Sequence, residues 1–157
     1  MIIQVIPGPE LHGPLGDAVL RLLTEHLVEM HKLSPPGSVF ALDTAALRSP
    51  SITMWSAWED EHLMGCGALK ELSTAEGEIK SMKTATGSLR RGVGSAILRS
   101  ILDEAHVRSY KRVLLETGST DAFAAAIGLY ERHGFSRRGR FGDYPENPFS
   151  LFMELAL

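Results

Sequence analysis

With 157 residues, 44% hydrophobic and 22% charged, the chain is long enough to bury a core and is expected to form one domain over 1–157. A formal net charge of −3 leaves no broad basic field, which argues against nucleic acid as a partner. Cys66 is the only cysteine, so no intramolecular disulfide forms; no apolar run is long enough to span a membrane and the N-terminus lacks a signal-peptide pattern. A cytoplasmic protein with no membrane partner is expected.

Met1 to Ile6 reads as a first strand, followed by the turn residues Pro7, Gly8, Pro9 and Pro14. Leu15, Val19, Leu22, Leu23, His26, Leu27 and Met30 recur at helical spacing and predict a helix over 14–32. Ser34-Pro35-Pro36-Gly37 ends it, because proline removes an N–H and restricts its predecessor. A short helix is expected over 43–47, with Asp43 as its cap. Segments 52–59 and 63–72 flank the polar tip Asp60-Glu61-His62 and predict an antiparallel hairpin. Cys66 sits inside the second segment between Gly65 and Gly67, a setting for a packed thiol rather than a nucleophile.

Segment 76–84 alternates as a strand, and Val93, Ile97, Ile101, Leu102 and Ala105 define a helix over 92–108. A short apolar strand over 112–117 and an alanine-rich helix over 122–133 follow, with Gly134 placed as the helix C-terminal cap. Strands over 135–140 and 149–155 finish the chain. The order predicts an α/β fold with a mixed, mostly antiparallel sheet flanked by helices and one parallel strand–helix–strand crossover, roughly 76–117. His26 and His31 are five positions apart, off a common helix face, and no metal site is expected.

Between the strand over 76–84 and the next helix lies Arg90-Arg91-Gly92-Val93-Gly94-Ser95-Ala96. Two glycines in three residues allow the backbone N–H groups to converge, and a helix start adds unpaired donors and the positive end of its dipole. This is a cradle for a phosphate or pyrophosphate. Gly87-Ser88-Leu89-Arg90-Arg91-Gly92 matches the opening of a nucleoside-triphosphate loop, but that loop needs Lys-Ser/Thr next, and Val93-Gly94 stand there instead. The dinucleotide fingerprint needs a third glycine where Ile97 stands.

The glycine turn, taken with Ala126-Ile127-Gly128-Leu129-Tyr130 and the following Gly134-Phe135, resembles the GNAT superfamily of N-acetyltransferases. The resemblance runs from the first helix to the last strand. Several strings are similar to a bacterial subgroup of indoleacetate-type acetyltransferases: Ser34-Pro35-Pro36, Ala41-Leu42-Asp43, Gly65-Cys66-Gly67-Ala68-Leu69-Lys70, Gly77-Glu78-Ile79-Lys80-Ser81-Met82, Leu115-Glu116-Thr117-Gly118-Ser119 and Phe141-Gly142-Asp143-Tyr144. Two positions depart from the family pattern: Leu89 replaces a polar residue before the turn, and Phe123 replaces an asparagine, for which Ser119 or Thr120 could substitute.

The resemblance implies an acetyl-CoA-dependent N-acetyltransferase that moves the acetyl group directly to a primary amine of a small molecule or peptide. The two departures keep open a non-catalytic acyl-CoA sensor of the same fold. The coenzyme A pantetheine arm would lie along Met82, Lys83 and Thr84 as an added strand. The pyrophosphate would sit on Arg91, Gly92, Val93, Gly94 and Ser95 beside Arg90. Tyr130 is the candidate general acid, and Glu78 the candidate base, placed on the same strand face as Met82 by alternation; Glu116, ending an apolar strand, is its rival. Met30, His31, Ser34, Phe40, Asp143 and Tyr144 are the candidate acceptor contacts. Glu78, Glu116 and Asp143 would favour a cationic acceptor, and a homodimer is compatible with the family.

Overall fold

A computed structural model describes residues 1–40 and 43–157; Ala41 and Leu42, part of one string above, lie outside the described residues. Its strands are β1 (Ile2–Pro7), β2 (Ile52–Glu59), β3 (His62–Glu71), β4 (Glu76–Thr84), β5 (Arg112–Gly118), β6 (Ser136–Arg138) and β7 (Ser150–Ala156). Its helices are α1 (Gly13–Leu33), α2 (Val93–Val107) and α3 (Ala124–Arg132). The sheet order is β1-β2-β3-β4-β5-β7-β6, and of the pairings only β4–β5 is parallel. That pair is joined through α2, as a parallel connection requires.

Three expectations are corrected. The strand expected over 135–140 shrinks to Ser136–Arg138, because β6 pairs only with Phe152–Glu154 in the middle of β7 and the chain then leaves the sheet as a loop. The helix expected over 122–133 begins at Ala124, after a single 3-10 turn over Asp121–Phe123. The short helix expected over 43–47 is likewise one 3-10 turn over Ala46–Arg48; its N-cap is Ala45 and not Asp43, although Asp43 Oδ1, two positions before that cap, accepts the Ala46 N–H at 2.7 Å.

Alternation divides the sheet between two cores. Trp55, Ala57, Leu69, Ile79, Val113, Leu115 and Met153 face α2 and α3, meeting Val93, Ile97, Leu98, Ile101 and Tyr130. Ile52, Met54, Trp58, Cys66 and Ala68 face α1 and meet Val19 and Leu23. Gly67 is small because α2 lies directly on it: a Cβ there would come within 2.9 Å of Ile97. Cys66 is fully buried, and burial pushes its thiol up to about 12, so it is a packed side chain and not a nucleophile.

β4 and β5 pair over only four residues each, Glu76–Ile79 with Arg112–Leu115, although β4 runs to Thr84 and β5 to Gly118. The cause lies in β4. Ser81 takes a left-handed φ of 56°, and the β3–β4 register slips there, so that Ala68 pairs with Lys80 but Cys66 with Lys83. This is a β-bulge, which bends its strand. Beyond it the two parallel strands diverge and leave a crevice in the sheet.

Candidate active site

At one end of the crevice, the chain leaves β4 and reaches the glycine turn. Arg90 and Gly92 both hold left-handed φ values, 63° and 77°, and Gly92 is the N-cap of α2. No side chain caps this helix, so the N–H groups of its first turn are left without a side-chain partner. Gly94 lets the turn lie close: a Cβ there would sit 3.2 Å from Leu129 of α3. Ser95 Oγ is 3.1 Å from His133 Nε2, while His133 Nδ1 lies 2.9 Å from the Leu129 carbonyl oxygen. With Nδ1–H donating to that carbonyl, Nε2 accepts from the serine hydroxyl. Of the two arginines at the mouth, Arg91 is turned away to Glu59 at 2.7 Å, in a pair that is half exposed on both sides. Leu89 is exposed beside them.

The crevice, about 110 Å³, is lined by Ile79, Lys80, Ser81 and Met82 of β4, Glu116 and Thr117 of β5, and Phe123, Ala126 and Tyr130 beyond. His26 and Met30 of α1 and Phe40 close its other side. Because β4 pairs with β5 only as far as Ile79, the β5-facing backbone edge of Ser81–Thr84 carries N–H and C=O groups unpaired within the sheet. Tyr130 is buried against Phe135, and burial, then the Glu116 carboxylate, raises its phenol strongly, keeping it protonated. Glu116 accepts the Ser150 hydroxyl at 2.7 Å, and its own pKa is raised, chiefly by burial. His26 is lowered to about 4, first by burial and then by Lys83, so it is a neutral imidazole at the crevice wall.

On the α1 face of the sheet the crevice adjoins a larger cavity of about 600 Å³; Phe40 and Lys80 line both. The floor comes from β3, β4 and β5, and the wall from Phe141, Gly142, Asp143, Tyr144 and Pro145 of the β6–β7 loop. Glu78 lies at its centre, only 4% exposed. Its Oε2 accepts from the Tyr144 hydroxyl at 2.5 Å and from Lys80 Nζ at 3.3 Å, and Lys80 Nζ also donates to the Tyr144 oxygen at 2.8 Å. Tyr144 is held edge-on by Phe40, Phe141 and Phe152, with ring centroids 5.2–5.4 Å away. Its phenol is raised strongly by burial and then by Glu78, which fixes it as a donor to that carboxylate.

The structure thus gathers most residues singled out in the sequence, and corrects one relation among them. Glu78 and Met82 do not share a face. The bulge at Ser81 adds a residue to the alternation, so Met82 turns to α2, packing beside Ile97 and Gly67, while Glu78 and Lys80 face the cavity. Met30 and Phe40 line the crevice, and Phe40, Asp143 and Tyr144 the cavity; His31 is exposed at the end of α1, and neither it nor Ser34 lines either space. Ser119 donates its hydroxyl to the Pro148 carbonyl at 3.3 Å, and Phe123 covers Gly118 at the crevice edge. Residues of the two spaces that were not singled out as site residues include His26, which read as one member of a helical apolar stripe, and Lys70, Glu76, Arg112 and Arg138, which meet the others only in the folded sheet.

The description of the acetyltransferase (GNAT) family matches residues 17–135. The chain is 51% identical over 138 residues to the uncharacterized N-acetyltransferase YsnE of Bacillus subtilis, covering 88% of this chain and 91% of that protein. It is 37% identical to the IAA acetyltransferase of Azospirillum brasilense, covering 92% and 94%. Among solved structures, an acyl-CoA N-acyltransferase from Pseudomonas aeruginosa superposes with a TM-score of 0.72 at 19% identity, over 99% of both chains. A family acetyltransferase from Elizabethkingia anophelis, solved with acetyl-CoA bound, gives 0.63 at 18% identity over 99% and 98%.

Proposed function

Because the chain belongs to the acetyltransferase (GNAT) family, an acyl-transferring family, we propose that it moves the acetyl group of acetyl-CoA directly to a primary amine. The observation that carries this reading is the divergence of β4 and β5. It opens the sheet between an uncapped helix N-terminus on one side and an open cavity lined by charged side chains on the other. The residues fit a coenzyme A thioester: a free strand edge over Ser81–Thr84 for the amides of the pantetheine arm, and the Arg91–Ser95 backbone for the pyrophosphate. When bound, the cofactor supplies an acyl carbon activated by sulfur.

The acceptor enters from the 600 Å³ cavity, past Phe40 and Lys80. An ammonium group has no lone pair, so its proton must leave first; Glu78 is the proposed base, directly or through a water. The ammonium of Lys80 beside it disfavours a second cation and so promotes the neutral amine. Tyr144 holds the carboxylate in one orientation and is a positioning residue. The amine nitrogen bonds to the carbonyl carbon as the carbon–sulfur bond breaks; the sulfur leaves with the bonding pair, and the surplus proton on nitrogen is lost through solvent and ends on the sulfur, giving a neutral amide and a thiol. Tyr130, at the crevice wall, donates to the departing sulfur. Its raised phenol lies well above an ordinary thiol at about 8.5, so its contribution is hydrogen bonding to the developing thiolate.

The reading is tested by measuring thiol release from acetyl-CoA over a chemically diverse amine panel, with Tyr130→Phe as control. Tyr130→Phe is expected to keep acetyl-CoA affinity and to lower kcat about 10- to 100-fold. Full turnover by Tyr130→Phe would remove it from the mechanism. Binding of acetyl-CoA with no thiol release on any amine would favour the sensor.

A further inference from the structure

The acidic residues noted in the sequence suggested a cationic acceptor, but the cavity that Glu78 and Asp143 line with Glu76 holds four cations, Lys70, Lys80, Arg112 and Arg138. Each acid on its floor is matched: Glu78 by Lys80 at 3.3 Å, and Glu76 by Arg112 at 3.3 Å. Arg138 on the wall is taken by Glu154 at 2.8 Å. Asp143 is on the exposed loop and is solvated. What remains is Lys70. It lies on the floor, directly across from Glu78 in the β3–β4 register, and is partly buried. Its natural cross-strand partner is already held by Tyr144 and Lys80, and Lys70 is in none of the ion pairs made by the described residues.

A cation removed from part of its water without a counter-charge is unfavourable. The same cavity presents apolar surface in Phe40, Leu72, Leu114 and Phe141. Concave sites of this size take small molecules through apolar walls and a few placed charges. We propose that the acceptor is an amino carboxylate with an apolar body: its carboxylate pairs with Lys70, its body lies on the aromatic wall, and its amine points to Glu78 and the crevice. Lys70 and Lys80 stand about 7 Å apart along the sheet, one two-residue step, which a flexible lysine spans toward acceptors of different lengths. The inference rests on the acyl-transfer reading of the crevice.

The test compares each acid with its decarboxylated partner: phenylalanine with phenethylamine, leucine with isopentylamine, and 6-aminohexanoate with pentylamine. Binding to the full chain in the presence of coenzyme A is measured by calorimetry, and turnover by thiol release from acetyl-CoA. In at least one pair the carboxylate member is expected to bind and react about tenfold better or more. Lys70→Met should bring that ratio close to one, and Lys70→Arg should restore it. Equal or better handling of all the plain amines by the wild-type chain overturns the inference, as does a ratio that survives Lys70→Met. The two readings fail separately. A carboxylate preference in binding without thiol release on any amine sinks acyl transfer alone, whereas thiol release without the preference sinks this proposal alone.

Discussion

The two sides of the crevice are built from different materials. The side assigned to the cofactor is mostly backbone: a bulged strand edge over Ser81–Thr84 and the uncapped first turn of α2 behind Gly92. The side assigned to the acceptor is mostly side chain: Glu78, Lys80, Tyr144, Phe40 and Lys70, brought from four separate segments. A backbone site tolerates changes of side chain, as Leu89 and the diversion of Arg91 to Glu59 illustrate, but not changes of φ. A side-chain site has the opposite sensitivity. Removing one atom of its network matters, and the chain path around it is free to vary.

The hardest test of that contrast is Glu78→Gln. Losing the proposed base should lower kcat by about 10²–10³-fold and flatten the acidic limb of the pH–rate profile, with the acetyl-CoA KM unchanged. If the profile keeps its acidic limb, the base is Glu116, whose carboxyl is already raised by burial.

A smaller effect concerns His26, where the α1 side meets the crevice. Its imidazole takes a proton near 6.5 when unfolded but only near 4 when folded. The unfolded chain therefore binds more protons between these values, and stability falls as pH drops through that window. The full difference is about 3 kcal/mol, from 1.36 kcal/mol per pKa unit. His26→Gln should remove this part of the acid sensitivity, measured as the change in denaturation midpoint between pH 7.5 and pH 4.5. An identical acid slope in both proteins would show that His26 is already solvated.

The smallest expected effect is on the backbone side. Gly92→Val forces a β-branched residue to a φ of 77°, although nothing lies within 4 Å of a Cβ there. The cost is conformational, about 1–3 kcal/mol, and should appear as a raised acetyl-CoA KM and a lower Tm with kcat for bound cofactor retained. A loss in kcat alone would mean that the turn shapes the reacting centre and not the anion cradle.

The cofactor side was the more legible one because its determinants are local. Gly92 and Gly94 sit beside a helix start, and the strand before them alternates, so the turn could be found within nine residues. The acceptor side was legible only in part. Glu78 and Tyr144 were singled out separately, but nothing in the chain says that residues 66 positions apart share a hydrogen bond. The face of Met82 was misjudged for a local reason, since one residue at positive φ shifts every later side chain to the opposite face.

By itself, then, the sequence determined the order of strands and helices, the single crossover through α2 and the glycine turn at its start, because hydrophobic period and glycine placement act over one element at a time. The tertiary structure alone decided that β4 and β5 part after Ile79, that Tyr144 returns across the sheet to hold Glu78, and that Lys70 makes no ion pair among the described residues. Those are outcomes of register and long-range pairing, in which every contact depends on where a distant segment comes to rest.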